Sequence, residues 1–427
     1  MVGLGKVGLP LAAQFAASGA TVIGADIDNR VVAALNVGEC PLRGEVGLEE
    51  RIAEAHRAGF LSATTDVTDA VRECDVVVVV VPLLVDDHGT PRFEMLDAAT
   101  TAIAAGIGPE TLVCYETTLP VGTTRGRFLP VLQQAPGLSD GGELYVCFSP
   151  ERVYTGRTFA DLRRYPKLVG GVDAESTRHG VAFYEQVLEF DVRTDLRRPN
   201  GVWAMANAEA AELAKLADTT YRDVNIALAN EFAIFSDRAG IDVYEVIEAA
   251  NSQPFSHIHQ PGVNVGGHCI PVYPQLYLTG HPDARMPAAS RRTNREMPGY
   301  AVDRLHAAMG DLAGRTVVVL GLAYRGGVKE AAFSGAGPLR DHLTERGAVV
   351  VLHDPLYSDA ELQQHGFAAF HLGEPCDAAI IQADHVEYAT LSPADLPGVK
   401  VIVDGRNMRP ESLLVAGVEM ITLGRDA

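Results

Sequence analysis

The sequence predicts an α/β protein in which two doubly wound, parallel-sheet domains are joined by a long central helix. The chain has 427 residues, which is too long for one ordinary hydrophobic core. In both halves, short runs rich in Val and Ile alternate with helical stretches, as is typical of a parallel sheet covered by helices on both faces. Between the halves, residues 207–239 form an apolar-periodic stretch closed by Gly240, which predicts one long helix.

The strands of each sheet are predicted from the β-branched runs, in chain order. In the first half they lie at residues 20–25, 76–82, 112–116, 144–148 and 168–172. In the second half, which begins at Arg315, they lie within TVVVLGLAY, AVVVLHDP, AAIIQAD and VIVDGR. The domains are therefore predicted to span residues 1–200, 201–298 and 299–427, with the helical segment in the middle.

The composition excludes several kinds of partner and site. A net charge of −20 repels the phosphates of nucleic acids and anionic lipids, so neither nucleic acid nor a membrane is expected as a partner. The longest apolar run, residues 76–81, is strand-sized and far shorter than the roughly 20 residues that a bilayer helix needs. The N-terminus lacks the pattern of a secretory leader, which favours a cytoplasmic location. Six cysteines without metal-ligand spacing predict reduced thiols and no metal site.

A glycine-rich run near the N-terminus predicts a cofactor site. Gly3-Leu4-Gly5-Lys6-Val7-Gly8 opens a predicted helix, and the next strand ends at Asp26, which is the spacing of a dinucleotide-binding, Rossmann-like domain. Such glycines let the backbone approach a pyrophosphate, which the helix N-terminus attracts. Asp26 would bind the adenosine ribose and repel a 2′-phosphate, so NAD is favoured over NADP. Only Met1 and Val2 precede the first glycine, so either the chain starts upstream of Met1 or the sheet has a defect.

One cysteine stands in a setting that favours reactivity. Cys269 follows Gly266-Gly267-His268 and precedes Pro271, which suits a helix N-terminus because proline is tolerated in a first helical turn. A thiol at such a position is biased towards the thiolate by the helix dipole. The alternative is a buried structural cysteine, which is the usual role of an isolated cysteine.

Seven motifs extend this interpretation along nearly the whole chain. In order they are VGLGKVGLPLA, YETTLPVGTT, SPERVYTGR, AELAKLADTTYRDVNIALANE, PGVNVGGHCIPVYP, LGLAYRGGVKE and VDGRN. Together they resemble the UDP-glucose/GDP-mannose dehydrogenase family, most closely its UDP-N-acetylglucosamine/UDP-N-acetylmannosamine branch. The resemblance implies an NAD-binding first domain, a central dimerisation domain that carries the catalytic Lys and Cys, and a UDP-sugar-binding last domain. It also implies oxidation of a sugar C6 alcohol to a carboxylate with two NAD.

The resemblance further assigns catalytic roles to four residues. Cys269 matches the nucleophile that attacks the intermediate aldehyde. Lys215 matches the lysine that stabilises the alkoxide or oxyanion, and any lysine is unusual in a chain with five lysines among 35 basic residues. Glu151 matches the general base for thioester hydrolysis, and Thr118 the threonine that positions the same water. Outside this motif context, these residues would more simply be surface, capping or loop residues.

Other residues are implied by the resemblance to bind the ligands. Those expected to contact the cofactor are Gly3, Gly5, Lys6, Val7, Gly8, Asp26, Arg30, Pro82 and Thr118. Those expected to contact the UDP-sugar are Glu151, Arg152, Val153, Lys215, Gly266, Gly267, Arg325 and Arg406. Arginine suits the pyrophosphate because its planar guanidinium makes paired, charge-assisted hydrogen bonds. Arg152, directly after Glu151, resembles the branch that acts on N-acetylhexosamine nucleotides.

Several positions depart from the family pattern. Tyr273 stands where an aspartate is usual and Thr219 where an asparagine is usual, so the hydrolytic half-reaction is in question. Further replacements are Phe255 and Ala332 for arginines, Asn264 for a glycine, and Leu83-Leu84 for Thr-Pro. The loss of arginines suggests a less polar or differently shaped sugar.

Three functions remain open from the sequence. The preferred one is an NAD-dependent 6-dehydrogenase of a UDP-N-acetylhexosamine, working as a homodimer or larger assembly through the central helix. The second is a divergent enzyme that serves a specialised sugar or stalls at the aldehyde or thioester. The third is a catalytically inactive protein that binds a nucleotide sugar.

Overall fold

The computed structural model describes residues 1–86, 89–138, 142–154 and 156–425. It divides into two compact units, Met1–Ala217 and Asp218–Ala427, which we call the first and second units. Residue 155, inside the SPERVYTGR motif, lies outside the described residues. Among the helices of the described chain, none is both long and apolar enough to cross a membrane.

The first unit consists of nine strands and eight complete helices among its described residues. The strands are β1 (Val22–Ala25), β2 (Leu61–Thr64), β3 (Val76–Val79), β4 (Leu84–Val85), β5 (Pro91–Arg92), β6 (Leu112–Tyr115), β7 (Tyr145–Phe148), β8 (Lys167–Gly171) and β9 (Val202–Ala204). The helices are α1 (Gly8–Ala17), α2 (Asn29–Leu35), α3 (Leu48–Arg57), α4 (Val67–Arg72), α5 (Glu94–Ala104), α6 (Leu129–Leu132), α7 (Thr158–Arg164) and α8 (Ala174–Val187), with a π-helix at Thr124–Phe128 and a 3-10 helix at Pro136–Leu138. The five strand segments predicted in this half each overlap an observed strand.

The centre of the first sheet is formed by very few residues. Val2 makes parallel bridges to Ala25, at the end of β1, and to Val79, at the end of β3. Its amide donates to the Val78 carbonyl (2.8 Å), and its carbonyl accepts from the Val80 amide (2.8 Å). This segment thereby joins the β2-β1 pair to the β3-β6-β7-β8-β9 sheet. The central strand, for which the sequence has only Met1 and Val2 before the glycine loop, is therefore reduced to a single bridge on each side.

One edge of this sheet differs from the all-parallel prediction. β8 runs antiparallel to β7, and β9 is parallel to β8. Doubly wound sheets commonly carry such a reversed strand at an edge. Because β6 and β7 end at the edge of the sheet where β8 begins, the first residue of β8, Lys167, lies beside the loops that follow β6 and β7. The reversal therefore brings a residue of β8 to the carboxyl ends of the parallel strands.

The second unit is a parallel sheet with helices and a helical leading segment. Its strands are β10 (Thr316–Leu320), β11 (Val349–His353), β12 (Ala368–Ala369), β13 (Ala378–Ile381), β14 (Val401–Asp404) and β15 (Glu419–Thr422). Its helices are α10 (Val243–Asn251), α11 (Tyr273–Gly280), α12 (Arg285–Met309), α13 (Ala336–Glu345), α14 (Asp359–Gln364) and α15 (Glu411–Val415), with a 3-10 helix at Val386–Thr390. All strand pairs are parallel, in the order β12-β11-β10-β13-β14-β15. This is the strand order of a dinucleotide-binding doubly wound fold, so the α/β prediction is confirmed.

The long helix predicted from the sequence is present as α9 (Ala208–Ala239), which has 32 residues. It begins in the first unit and ends in the second. Its observed ends agree with the predicted ends to within one residue.

Candidate active site

The glycine loop of the first unit has the geometry of a pyrophosphate cradle. Gly3 adopts a φ of +91°, and a Cβ on Gly8 would lie 2.0 Å from the Gly3 carbonyl oxygen, so this tight turn requires both glycines. Around Gly5 no atom lies within 4 Å of an added Cβ, which leaves the backbone open to a ligand. α1 begins at Gly8 without a capping side chain or an acidic residue in its first turn. No side chain or acidic residue therefore blocks an anion from the start of α1, and the open loop at Gly5 fits the pyrophosphate of NAD.

Asp26 lies directly after β1 and faces this loop. One carboxylate oxygen accepts from the Leu4 amide (2.8 Å) and the other from the Asp28 amide (2.9 Å). Each oxygen keeps a second lone pair for a ribose hydroxyl. Arg30 is exposed and forms an ion pair with Asp28 (2.7 Å), and this hydrogen bond lowers the pKa of Asp28 to about 2.

The other predicted cofactor residues border the same loop or follow the neighbouring strands. Val7 is the residue before α1, and Pro82 follows β3. Lys6 lines a cavity of about 180 Å³ together with Pro10, Pro41, Leu42, Arg43 and Glu45.

The loop that carries Thr118 follows β6 and is held by the first turns of α9. Thr118 is buried. Further along the loop, the Glu212 carboxylate accepts from the Gly122 amide (2.5 Å), the Thr124 amide (2.9 Å) and the Thr124 hydroxyl (2.7 Å). Burial raises the pKa of Glu212. Glu212 stands three residues before Lys215, so one helix anchors the threonine loop and carries the predicted catalytic lysine.

Glu151 and Lys215 are brought together in the first unit. The Lys215 ammonium, which is buried, donates to the Glu151 carbonyl oxygen (2.7 Å). The Glu151 carboxylate accepts from the Arg152 amide at Oε1 (2.8 Å) and from Lys167 Nζ at Oε2 (2.8 Å). An ammonium has three N–H donors, and this contact uses one of them.

Arg152 and Val153 support the same loop. The Arg152 guanidinium donates to the Pro166 carbonyl oxygen (2.6 Å), which ties the loop to the residue before β8. Val153 packs against the hydrophobic core. Of the two, Arg152 thus has a clear structural role beside its predicted contact with the sugar.

Three interacting side chains near Glu151 were not among the residues predicted from the sequence. Lys167 bridges Glu116 and Glu151, and the Tyr184 hydroxyl donates to Glu116 (2.6 Å). A lysine at the start of a β-branched run gives no local sign of such a role. The only signal in the sequence was the rarity of lysine.

In the second unit, Cys269 is exposed in a turn that leads into α11. Its carbonyl oxygen accepts from the Tyr273 amide (2.9 Å), and Tyr273 is the first residue of the helix. Pro274, and not Pro271, occupies the first helical turn. The expectation that Pro271 occupies the first turn is therefore wrong, because α11 begins at Tyr273, four residues after Cys269.

The glycines before Cys269 are required by the close approach of Tyr324. A Cβ on Gly266 would lie 2.5 Å from Tyr324 Cβ, and one on Gly267 would lie 3.2 Å from its ring. The Gly267 amide donates to the Ala332 carbonyl (2.8 Å). Asn264 donates from Nδ2 to the Phe333 carbonyl (2.9 Å). The unusual Asn264 thus has a structural role, since it fastens the cysteine loop to the segment 330–335.

Arg325 and Arg406 meet at the same tyrosine. Arg325 Nε donates to the Tyr324 hydroxyl (3.0 Å), and Arg406 Nη2 donates to the Tyr324 carbonyl (3.1 Å). Arg406 also lines a cavity of about 720 Å³, whose other lining residues are Tyr244, Ile247, Glu248, Asn251, Ser252, Gln260, Pro261 and Asn407. Both arginines and the Gly266-Gly267 loop therefore lie around Tyr324 in the second unit.

A buried ion pair fixes the other side of the cysteine turn. Arg291 of α12 contacts Asp223 of α9 (2.8 Å), and its Nη1 also donates to the Ile270 carbonyl (3.3 Å). Burial raises the pKa of Asp223 and lowers that of Arg291. Thr219 is fully buried on α9, while Phe255 is 91% exposed.

Family models match the chain over three consecutive stretches. Within the UDP-glucose/GDP-mannose dehydrogenase family, the NAD binding domain matches residues 1–188, the central domain 209–297 and the UDP binding domain 318–410. The UDP-N-acetyl-D-mannosamine dehydrogenase of Pyrococcus horikoshii is 33% identical over 96% of each chain. The NDP-N-acetyl-D-galactosaminuronic acid dehydrogenase of Ralstonia nicotianae is 29% identical over 96% of this chain and 95% of its own.

A solved structure shows the same likeness in three dimensions. The UDP-D-ManNAc dehydrogenase structure from Pyrococcus horikoshii superposes with a TM-score of 0.86 at 32% identity, covering 99% of this chain and 98% of the other. The chain therefore belongs to the UDP-glucose/GDP-mannose dehydrogenase family and is an NAD-dependent dehydrogenase of nucleotide sugars.

Proposed function

We propose that this protein oxidises the C6 hydroxymethyl group of a UDP-N-acetylhexosamine to the carboxylate, with two NAD per sugar. The observation that carries the proposal is the exposed Cys269 thiol on a loop that requires Gly266 and Gly267. An inactive binding protein would not need an accessible thiol there. The buried contact of Lys215 with the Glu151 loop supports the same conclusion.

The proposed roles begin at the cofactor. Gly3, Gly5 and Gly8 let the backbone approach the pyrophosphate, and Asp26 binds the adenosine ribose. Ile27, which follows Asp26 and is 89% exposed, offers an apolar surface to the adenine. When bound, NAD accepts a hydride in each of the two oxidations.

The chemistry on the sugar is assigned to four residues. Lys215 stabilises the negative charge on the C6 oxygen. The Cys269 sulfur bonds to the aldehyde carbon and gives a thiohemiacetal, which the second oxidation converts to a thioester. Glu151 takes a proton from the water that attacks the thioester, and Thr118 positions this water. The carboxylate leaves and the Cys269 thiol is restored.

Two observations support the proposed class of sugar. Arg152 is retained next to Glu151, and its guanidinium holds the loop that is expected to line the sugar site. The named relatives act on N-acetylated or aminouronic nucleotide sugars. In the second unit, Arg406 lines the 720 Å³ cavity and Arg325 contacts the neighbouring Tyr324, and guanidinium groups suit the pyrophosphate of UDP.

We also propose a homodimer formed through α9. Four large apolar side chains of this helix are exposed at spacings of seven, four and three residues, and so share one face: Tyr221 (55%), Leu228 (44%), Phe232 (37%) and Phe235 (63%). A contiguous apolar stripe of this kind is typical of a protein–protein interface. A second copy of the same helix is the simplest occupant, because a two-fold axis lets one stripe bury itself.

The experiment that tests the function is a panel of nucleotide sugars with NAD. The panel contains UDP-N-acetylmannosamine, UDP-N-acetylglucosamine, UDP-N-acetylgalactosamine and UDP-glucose, and NADH is counted per sugar consumed. We expect two NADH with an N-acetylhexosamine and no product from Cys269→Ala. Absence of NADH with every sugar would contradict the proposal.

A second candidate is favoured by Tyr273 and Thr219, which replace the usual Asp and Asn. In this version the reaction stops at the aldehyde or the thioester because the hydrolytic water is poorly held. One NADH per sugar, or an acyl adduct on Cys269 in the wild-type protein, would favour it over complete oxidation.

A further inference from the structure

Lys167 holds two carboxylates inside the first unit. Its Nζ lies 2.8 Å from Glu116 Oε2 and 2.8 Å from Glu151 Oε2. The side chains of Lys167 and Glu116 are 3% and 0% exposed, whereas that of Glu151 is 10% exposed. The second oxygen of Glu116 accepts from the Tyr184 hydroxyl (2.6 Å), and Lys167 Nζ lies 4.7 Å from the centre of the Tyr184 ring.

A purely structural lysine would not need this arrangement. Burying an ammonium is costly, and one carboxylate suffices to compensate its charge. Here two carboxyl groups contact one ammonium, which is more than compensation of its charge requires. Of the three side chains, that of Glu151 is the most exposed, so Glu151 is the member of the cluster that can exchange a proton with the site.

We propose that Lys167 and Glu116 are positioning residues that orient the Glu151 carboxylate and allow it to change charge during the reaction. This inference rests on the proposed role of Glu151 as the base in thioester hydrolysis. Neither positioning residue is assigned a contact with the substrate or the cofactor.

The shared lysine makes proton uptake by Glu151 less costly. When Glu151 takes the proton from water, its ion pair with Lys167 is weakened, but Lys167 stays paired with Glu116. In a simple Lys–Glu pair, the same step would leave a buried ammonium without a counter-charge, which is strongly unfavourable. Glu116 therefore keeps the ammonium compensated in both states of Glu151. The step involves no oxidation or reduction: the water oxygen bonds to the thioester carbon, and its proton goes to a Glu151 carboxylate oxygen.

Two other charged side chains lie on the same loop or contact it. Lys215 donates to the Glu151 carbonyl, and Arg152 donates to the Pro166 carbonyl. Beyond Tyr184 lie the thiols of Cys114 and Cys147, which are buried in neighbouring strands and contact each other at 3.2 Å.

The pKa of Lys167 is shifted in the direction that this geometry predicts. Burial lowers the pKa of Lys167, but the charges of Glu116 and Glu151 outweigh it and the pKa is raised. The pKa of Glu116 is raised by burial, against the opposing effect of Lys167. The ammonium therefore stays charged at neutral pH, as its compensating role requires.

The test is the pH dependence of kcat in two single variants, which should shift in opposite directions. Glu116→Gln leaves the Lys167 charge to Glu151 alone, so the acidic limb of the profile should move to lower pH and the maximal rate should fall. Lys167→Met leaves two carboxylates facing each other, so the acidic limb should move to higher pH. A shift of about one unit or more is expected in each case, as is usual for a charge at this distance.

Further variants keep the inference testable if Lys167→Met does not fold. The double variant Lys167→Met/Glu116→Gln removes both charges and should return the acidic limb towards its wild-type position. Lys167→Arg keeps the positive charge and should leave the acidic limb at its wild-type position. Lys400→Met, which removes an exposed lysine of the second unit, is the matched control. Active variants whose limbs all coincide with the wild type, or shift in one direction only, would overturn the inference. Wild-type protein that gives no NADH with any UDP-sugar would instead overturn the proposed function, and the inference with it.

Discussion

Glu151 is held at three of its atoms, by α9, by β8 and by the next residue of its own loop. Its carbonyl oxygen contacts Lys215 of α9, one carboxylate oxygen contacts Lys167 of β8, and the other accepts from the amide of Arg152. A base that must hold a water needs a fixed orientation, since a small displacement weakens proton transfer. These contacts give a physical reason for the predicted role of Glu151 without relying on Tyr273 or Thr219.

The Glu151→Gln variant should stall the reaction after the second oxidation. An amide cannot take the proton from water, so we expect kcat to fall by about 10² to 10⁴. The thioester on Cys269 should then accumulate and appear as an added mass on the intact protein. Glu50→Gln, at an exposed glutamate of the first unit, is the control and should leave turnover unchanged. Normal turnover by Glu151→Gln would contradict the assigned role.

At the scale of elements, the glycines before α1 determine both how the helix begins and how closely a ligand can approach it. Gly8 allows α1 to begin directly against the Gly3 carbonyl, while Gly5 faces open space. The two glycines therefore serve different purposes, since Gly8 is required by the fold and Gly5 by the ligand.

Alanine substitutions should separate these purposes. Gly8→Ala forces a Cβ to within 2.0 Å of a backbone oxygen and should lower the free energy of unfolding by at least about 1 to 3 kcal/mol. Gly5→Ala should change it by less than about 1 kcal/mol, yet weaken NAD binding. Urea unfolding and calorimetric titration with NAD measure the two effects. Equal loss of stability in both variants would contradict this division.

At the scale of the whole chain, each unit places an aspartate directly after a parallel strand, with different outcomes. In the first, Asp26 follows β1 and accepts from the Leu4 amide. In the second, Asp354 follows β11 and accepts from the Leu322 amide (2.7 Å), but it also contacts His385 Nε2 (3.2 Å), and both side chains are buried. The acidic group of the second sheet is thus used internally, which agrees with a single NAD site in the first unit. The finer division at residues 200 and 298 stays a prediction.

The proposed dimer belongs to this scale as well. Phe235→Glu places a charge on the apolar stripe of α9 in each copy, and like charges across an interface cost several kcal/mol. We therefore expect the dissociation constant of the dimer to rise at least about a hundredfold. Sedimentation over a range of concentrations measures it, with Val415→Glu, at an exposed valine outside the stripe, as the control. A variant that sediments as the wild type would exclude this face as the interface.

The sequence by itself determined the features that depend on neighbouring residues. The glycine loop, α9 and the parallel sheets were predictable because helix and strand periodicity, and the turns that glycines permit, are local properties. Only the tertiary structure decided which distant side chains meet. Lys167 reaches Glu151 and Glu116 because β8 runs against β7, and Asn264 is explained by the Phe333 carbonyl. The tertiary structure likewise decided that α11 begins at Tyr273 and not next to Cys269. These contacts join residues far apart in the chain, so no pattern of spacing could have indicated them.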